Sequence, residues 1–216
     1  MKSLVTAVFV LIVLTLIIYS QDKDVQNIVE YCHDLDSRIE FEGVYLVHSI
    51  KFETNRRAIG IQFTEVKFYY PYPGDSVVEK ENDVQFLYLY KPPVKIKIEY
   101  NIAASQNILK EYYFGSEGNL VFYYMLTKGA YTCGEEKYFF KNDELLKITR
   151  EPIENCVDKD GKLLTDFVEG KYKSYMKDKD FTRHDLFLAG NIQKNAKKYL
   201  KMFDELVKLE QIDKEE

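Results

Sequence analysis

Residues 110–125 read KEYYFGSEGNLVFYYM: six of the sixteen are Tyr or Phe, and a Gly-containing gap splits them into two groups. Each half suits a strand, because aromatic side chains pack well on a pleated surface. GSEGN between them supplies turn residues, so the stretch predicts a hairpin. Alternation divides the aromatics between two faces. With Tyr112 and Phe114 facing one way, Tyr113 faces the other, and Phe122 and Tyr124 oppose Val121 and Tyr123. One set is expected to be core beneath a helix. The other set needs a cover, from this chain or from a partner, and Tyr113 and Tyr123 are assigned to it.

Working outward, EEKYFF (135–140) and ELLKITR (144–150) flank KND as a second hairpin. EYYFGSEGNLVF and KYFFKNDELLKI share an aromatic triplet, a polar turn and an apolar pair, which reads as successive hairpins of one meander. Upstream, VKIKIEYNI (94–102) alternates Val94, Ile96, Ile98 and Tyr100 with Lys95, Lys97 and Glu99, a half-buried strand with a charged face. Residues 44–53 and 57–70 flank TNR as a further hairpin. PYPGD at 71–75 stops it, since two prolines cannot join a central ladder. SVVEKEND reads as a polar connection and VQFLYLY (84–90) as a strand halted at Pro92-Pro93. Residues 22–37 read as a short helix with Val25, Ile28, Val29 and Cys32 on one face. Residues 153–182 read as loop with a short helix. Residues 185–211 form a long helix whose stripe is Ile192, Ala196, Tyr199, Phe203 and Leu206. The fold class is therefore α+β: an antiparallel meander sheet of about eight strands, with a short N-terminal helix and a long C-terminal helix packed on one face, forming a single domain over 21–216.

The repeated YYF–turn–L hairpins over 94–150 resemble secreted bacterial domains of no established activity. The resemblance implies a curved antiparallel sheet with helices on one side, and it carries over no catalytic residue.

The first twenty residues, MKSLVTAVFVLIVLTLIIYS, place Lys2 before an uncharged run from Leu4 to Ile18. This reads as a signal peptide over 1–20, cleaved between Ser20 and Gln21, and resembles those of Gram-negative bacteria. The localisation that follows is secreted or periplasmic. The alternative is an uncleaved anchor, for which a spanning helix needs about 20 apolar residues.

The net charge of −5 argues against a nucleic-acid partner, which requires clustered positive charge. Cysteines occur at 32, 133 and 156. Export favours a Cys133–Cys156 disulfide, because the chain leaving the second hairpin can bring them together, with Cys32 paired to either or no bond as the alternatives. Of the three histidines, His33 and His184 each precede an Asp, but helical neighbours point about 100° apart, so adjacency makes no dyad. His48 lies in the first strand. DKDGKLLTD (158–166) has part of a calcium loop's spacing with an incomplete ligand set, and reads as a solvated turn. No catalytic motif, metal site or cofactor is implied. The resulting expectation is an exported non-enzymatic module. It meets an unknown protein or envelope component through an aromatic sheet face that includes Tyr69, Tyr72, Tyr113 and Tyr123. The alternatives are a hydrolase of unrecognised type built on His48 or His184 with a remote carboxylate, and a structural subunit anchored by the N-terminus.

Overall fold

A computed structural model describes residues 2–56, 60–72, 76–80, 83–87, 91–102, 106–129, 133–151, 175–176 and 181–212, with backbone alone at 2–21, 56, 76–80, 83–87, 175–176 and 210–212. Helix α1 (Lys2–Phe41) leads into β1 (Tyr45–Arg56) and β2 (Gly60–Pro71). A small hairpin, β3 (Ser76–Lys80) and β4 (Asp83–Leu87), intervenes before β5 (Lys95–Ile102), β6 (Gln106–Phe114), β7 (Leu120–Gly129), β8 (Cys133–Lys141) and β9 (Glu144–Glu151). The short β10 (Tyr175–Met176) precedes α2 (Arg183–Ile212).

The main sheet has the order β1-β2-β5-β6-β7-β8-β9-β10, with every pair antiparallel. The α+β meander with a helix at each end is thus as the alternation predicts. Turn chemistry sets its registers. Asn142 and Asp143 lie at φ 51° and 62°, the left-handed pair that a two-residue hairpin requires. Lys141 therefore faces Glu144, and a bulge at Phe139/Phe140 then shifts the ladder so that Tyr138 faces Ile148.

Four expectations need correction. The first hairpin does not turn at Thr54–Arg56. Its ladder runs to Arg56 opposite Gly60, so Thr54–Arg56 belongs to the strand, and 57–59 lie outside the described residues. SVVEKEND is not simply a connection: Ser76–Lys80 pairs with Asp83–Leu87 as a separate two-stranded sheet, so the described part of 84–90 pairs there and not in the main sheet, while 88–90 lie outside the described residues. The N-terminal helix is not short. Nothing between Lys2 and Phe41 is Gly or Pro, so a backbone helix of 40 residues runs unbroken to Gly43, whose φ of 62° ends it. Finally, the two helices do not share a side, because apolar residues from β6, β7 and β8 lie on both faces of the sheet and each helix covers a different one.

Two adjacent rows across the sheet show the division. His48, Phe68, Ile96, Tyr112, Tyr123, Tyr138 and Ile148 stand side by side on one face. Val47, Tyr69, Lys95, Tyr113, Phe122 and Phe139 stand on the other. α2 covers the first row with Ala189, Ile192, Ala196, Phe203 and Val207, closing the main core. α1 covers one end of the second row with Ile28, Cys32, Leu35 and Ile39, one step beyond the Val25–Cys32 stripe expected; Val29 is exposed. The long α2 stripe matches its helical spacing and holds Phe203 against His48, Phe68 and Tyr70 at centroid distances of 5.9, 5.5 and 5.0 Å.

The expected loop and helix at 153–182, including DKDGKLLTD at 158–166, lie largely outside the described residues, as does Cys156. Cys32 is a free, buried thiol, which removes the pairing of Cys32 with Cys133.

Candidate functional site

The aromatic hairpin is covered by its own chain. Tyr112 pairs with Tyr123 and Tyr113 with Phe122, so Tyr113 and Tyr123 lie on opposite faces rather than sharing one. Tyr123 is 4% exposed beneath α2 and Tyr113 3% exposed beneath α1. The assignment of both to a partner-facing surface is therefore corrected. Alternation within each strand is right, but the turn register decides how the two strands' faces match. Of the other two candidates, Tyr69 is half-buried beside Lys95, and Tyr72 is 53% exposed after β2, its N–H donating to Val44 O at 3.2 Å.

Beneath α1 lies a buried charge that the alternation did not foresee. Alternation places Lys95 on the charged side of its strand. It is on that side, but only 7% exposed, because α1 passes over it. Its Nζ reaches Asp36 of α1 at 2.6 Å and Glu111 of β6 at 3.0 Å, and stands 4.6 Å from the Tyr113 ring centroid. Tyr113 Oη donates to Asp36 Oδ2 at 2.8 Å and Glu111 Oε2 at 3.2 Å. Burial pushes the Tyr113 hydroxyl well up, and the two carboxylates add to the shift. The Cys32 thiol is also pushed well up, by burial and then by Asp36. A thiol held protonated is a poor nucleophile, and the Asp36 contacts to Lys95 and Tyr113 tie α1 to the sheet. Asp24 to Lys141 Nζ at 2.8 Å, and Tyr31 Oη to Phe114 O at 2.6 Å, pin the same helix further up. A sequence clue existed: Asp36 follows Cys32 by one helical turn, an acid on the edge of the apolar stripe.

On the other face, Arg150 Nη2 meets Asp185 Oδ1 at 2.9 Å and Tyr138 Oη at 3.1 Å. Asp185 also closes a capping box with Thr182. Its Oδ2 accepts from Thr182 N at 3.0 Å and Thr182 Oγ1 at 2.7 Å, while Thr182 Oγ1 accepts from Asp185 N at 3.1 Å. Burial would raise the Asp185 carboxyl, but the Thr182 bonds and Arg150 hold it below the ordinary range.

The histidines do not build a dyad on their neighbouring aspartates. His33 and His184 are exposed, whereas Asp185 turns inward to its cap. His48 stacks on Tyr70 at 5.1 Å as part of the aromatic core. Among the described residues, no three metal-ligating side chains gather.

The accessible surface lies beyond the end of α1. The β2–β5 ladder stops at Thr64 opposite Tyr100, while β1–β2 continues to Arg56. The Phe63 N–H donates instead to Asn101 Oδ1 at 2.7 Å. The end of the β1–β2 hairpin is thereby released from the rest of the sheet as a two-stranded arm. Ile61 and Phe63 on the arm are 45% and 57% exposed. Beside Phe63 runs an open groove of about 350 Å³ walled by Glu99, Asn101, Asn107, Leu109, Leu126 and Lys128. On its other side a second groove of about 430 Å³ is bounded by Lys51, Glu53 and Glu65. Amides, both signs of charge and an exposed aromatic ring suit contact with a polar partner and provide no converging acid, base and nucleophile.

Comparison with protein-family models, with curated proteins and with solved structures gives no match.

Proposed function

We propose that this chain is an exported, non-enzymatic module of the cell envelope that binds a protein or envelope component through the open half of its sheet. The observation that carries the reading is the exposed Phe63 between two grooves, on a face whose other half α1 covers. The contact surface thus moves from Tyr113 and Tyr123 to Phe63 and its neighbours, with Tyr72 the one exposed tyrosine of the four candidates. The resemblance to secreted bacterial domains agrees with this reading. We also propose a Cys133–Cys156 bond as the disulfide that an oxidising compartment would favour, with Cys32 free. Photocrosslinking tests the surface: a benzoylphenylalanine at 63 is expected to capture one discrete species in cells. The same probe at exposed His33 is expected to capture none. Equal capture at both positions, or at neither, counts against the site.

A second reading, the anchored structural subunit, keeps residues 1–20, of which Lys2 to Ser20 form the start of α1. Among the residues described with side chains, no helix is long and apolar enough to cross a membrane; Leu4–Ile18 falls outside that set. Intact-mass spectrometry separates the two readings: an N-terminus at Gln21 supports export with cleavage, and retention of residues 1–20 supports the anchor.

A further inference from the structure

β1 ends the main sheet, and among the described residues β2 is its only strand partner. The strand is 12 residues long, with no Pro or Gly, and its ladder with β2 is free of bulges. At the other end of the sheet, β9 is paired by β10 at Lys147 and Ile148. A long, regular edge offers a row of backbone donors and acceptors to any strand that can lie beside it, and proteins usually blunt such edges. Lys51 to Asn55 are all exposed, including Phe52 at 45%.

The side chains favour one occupant. A two-fold axis normal to the sheet keeps each face on its own side, so it must lie between the two β1 strands, level with a residue that faces its own copy. With the axis at Phe52, Lys51 faces Glu53 of the second copy and Glu53 faces its Lys51. Ile50 then faces Thr54, Ser49 faces Asn55, and the two Phe52 rings meet. Centring on Lys51 would oppose two ammonium groups, and centring on Glu53 two carboxylates. Centring on Ile50 sets Lys51 against Ser49 and Glu53 against Val47. Only the Phe52 register among these forms two opposite-charge pairs, which stabilise a sheet, whereas like charges directly opposite destabilise it. Both charges are available. The Lys51 side chain is 76% exposed, with Glu65 at 3.3 Å, and Glu53 makes no ion pair among the described residues.

We propose that two copies of this chain join edge to edge through β1, antiparallel about Phe52, making one continuous sheet. The pairing uses the backbone edge together with Lys51 and Glu53, which also bound the second Phe63 groove, while the first groove, walled by Asn101, Asn107 and Lys128, lies clear of it.

Cysteine crosslinking of the purified full-length chain tests the register. Phe52→Cys is expected to give a covalent dimer on mild oxidation. Ser49→Cys and Asn55→Cys are expected to crosslink poorly alone and efficiently when mixed. Sedimentation of charge variants tests the pairing. Lys51→Glu is expected to weaken the dimer about thirtyfold, or about 2 kcal/mol, by turning two attractions into repulsions. Lys51→Glu combined with Glu53→Lys is expected to restore it. A monomer at every concentration reached overturns the proposal. So does a dimer indifferent to Lys51→Glu, which would point to association through the N-terminal apolar run. Crosslinking that does not follow the Phe52 register overturns it as well.

Discussion

Asp185→Ala removes the residue that joins α2 to the sheet. Two losses add. The capping box contributes about 1 kcal/mol, as helix caps generally do. Arg150 then loses the carboxylate at 2.9 Å from a site where its own side chain is 15% exposed and that of Asp185 is 4% exposed. A hydrogen bond to a charged group in such a place is worth about 2 kcal/mol. The expected destabilisation is about 3 kcal/mol, a large part of the roughly 5–15 kcal/mol available to a domain. Asp185→Asn keeps an oxygen for Thr182 and loses the charge, so it should cost about 2 kcal/mol. The pH dependence identifies the cause. The folded Asp185 carboxyl is depressed by Thr182 and Arg150. Its contribution is therefore complete above the unfolded value of about 3.9, and is lost as pH falls through the folded value. The deficit of Asp185→Ala should be constant between about pH 7 and pH 5 and should shrink below about pH 4, as the unfolded parent takes up the proton first and the folded parent does so only at its lower value. Urea unfolding followed by far-ultraviolet circular dichroism measures it. A deficit under about 0.5 kcal/mol near neutrality would refute the reasoning. A deficit that persists unchanged into strong acid would refute the charged part of it.

Lys95→Met leaves Asp36 and Glu111 beside an apolar side chain. It should cost about 3 kcal/mol and raise hydrogen exchange in α1 around Cys32–Ile39 while α2 stays protected; protection unchanged in α1 would show that the clamp does not hold the helix. Phe63→Ala should change stability by less than about 0.5 kcal/mol, because the ring is already largely in solvent, and should abolish capture of the partner by a benzoylphenylalanine placed at the neighbouring exposed Ile61. The Tyr31 hydroxyl is pushed up to about 12, mainly by burial, and the hydroxyls of Tyr112, Tyr113, Tyr123 and Tyr138 are pushed up as well. Absorbance titration to about pH 11 should leave these groups neutral in the folded chain and ionise them on adding denaturant; full ionisation while folded would contradict their burial. Cys32 should resist alkylating reagents until unfolding, and rapid labelling of the native chain would show that α1 does not cover it.

The strands of the meander and the buried stripe of α2 could be read from residue order alone. Alternation at Ile96 and Ile98 and the four-and-three spacing from Ile192 to Phe203 are local patterns, and the backbone imposes both periods. The Asn142–Asp143 turn was legible for the same reason. Lys95 shows where this stops. Its place on the charged side of β5 follows from alternation, but its burial depends on Asp36, 59 positions earlier, arriving above it. Tyr113 and Tyr123 show the same limit within a single hairpin. Alternation assigns each strand two faces, but only the pairing across Gly115–Asn119 decides which face of one continues into which face of the other. The aromatic density of 110–125 was thus determined by sequence to be two strands. Tertiary structure decided that one tyrosine faces α1 and the other α2, because cover is a property of chain segments far apart. It also moved the open surface to Phe63, where β2 leaves β5 and no described helix follows.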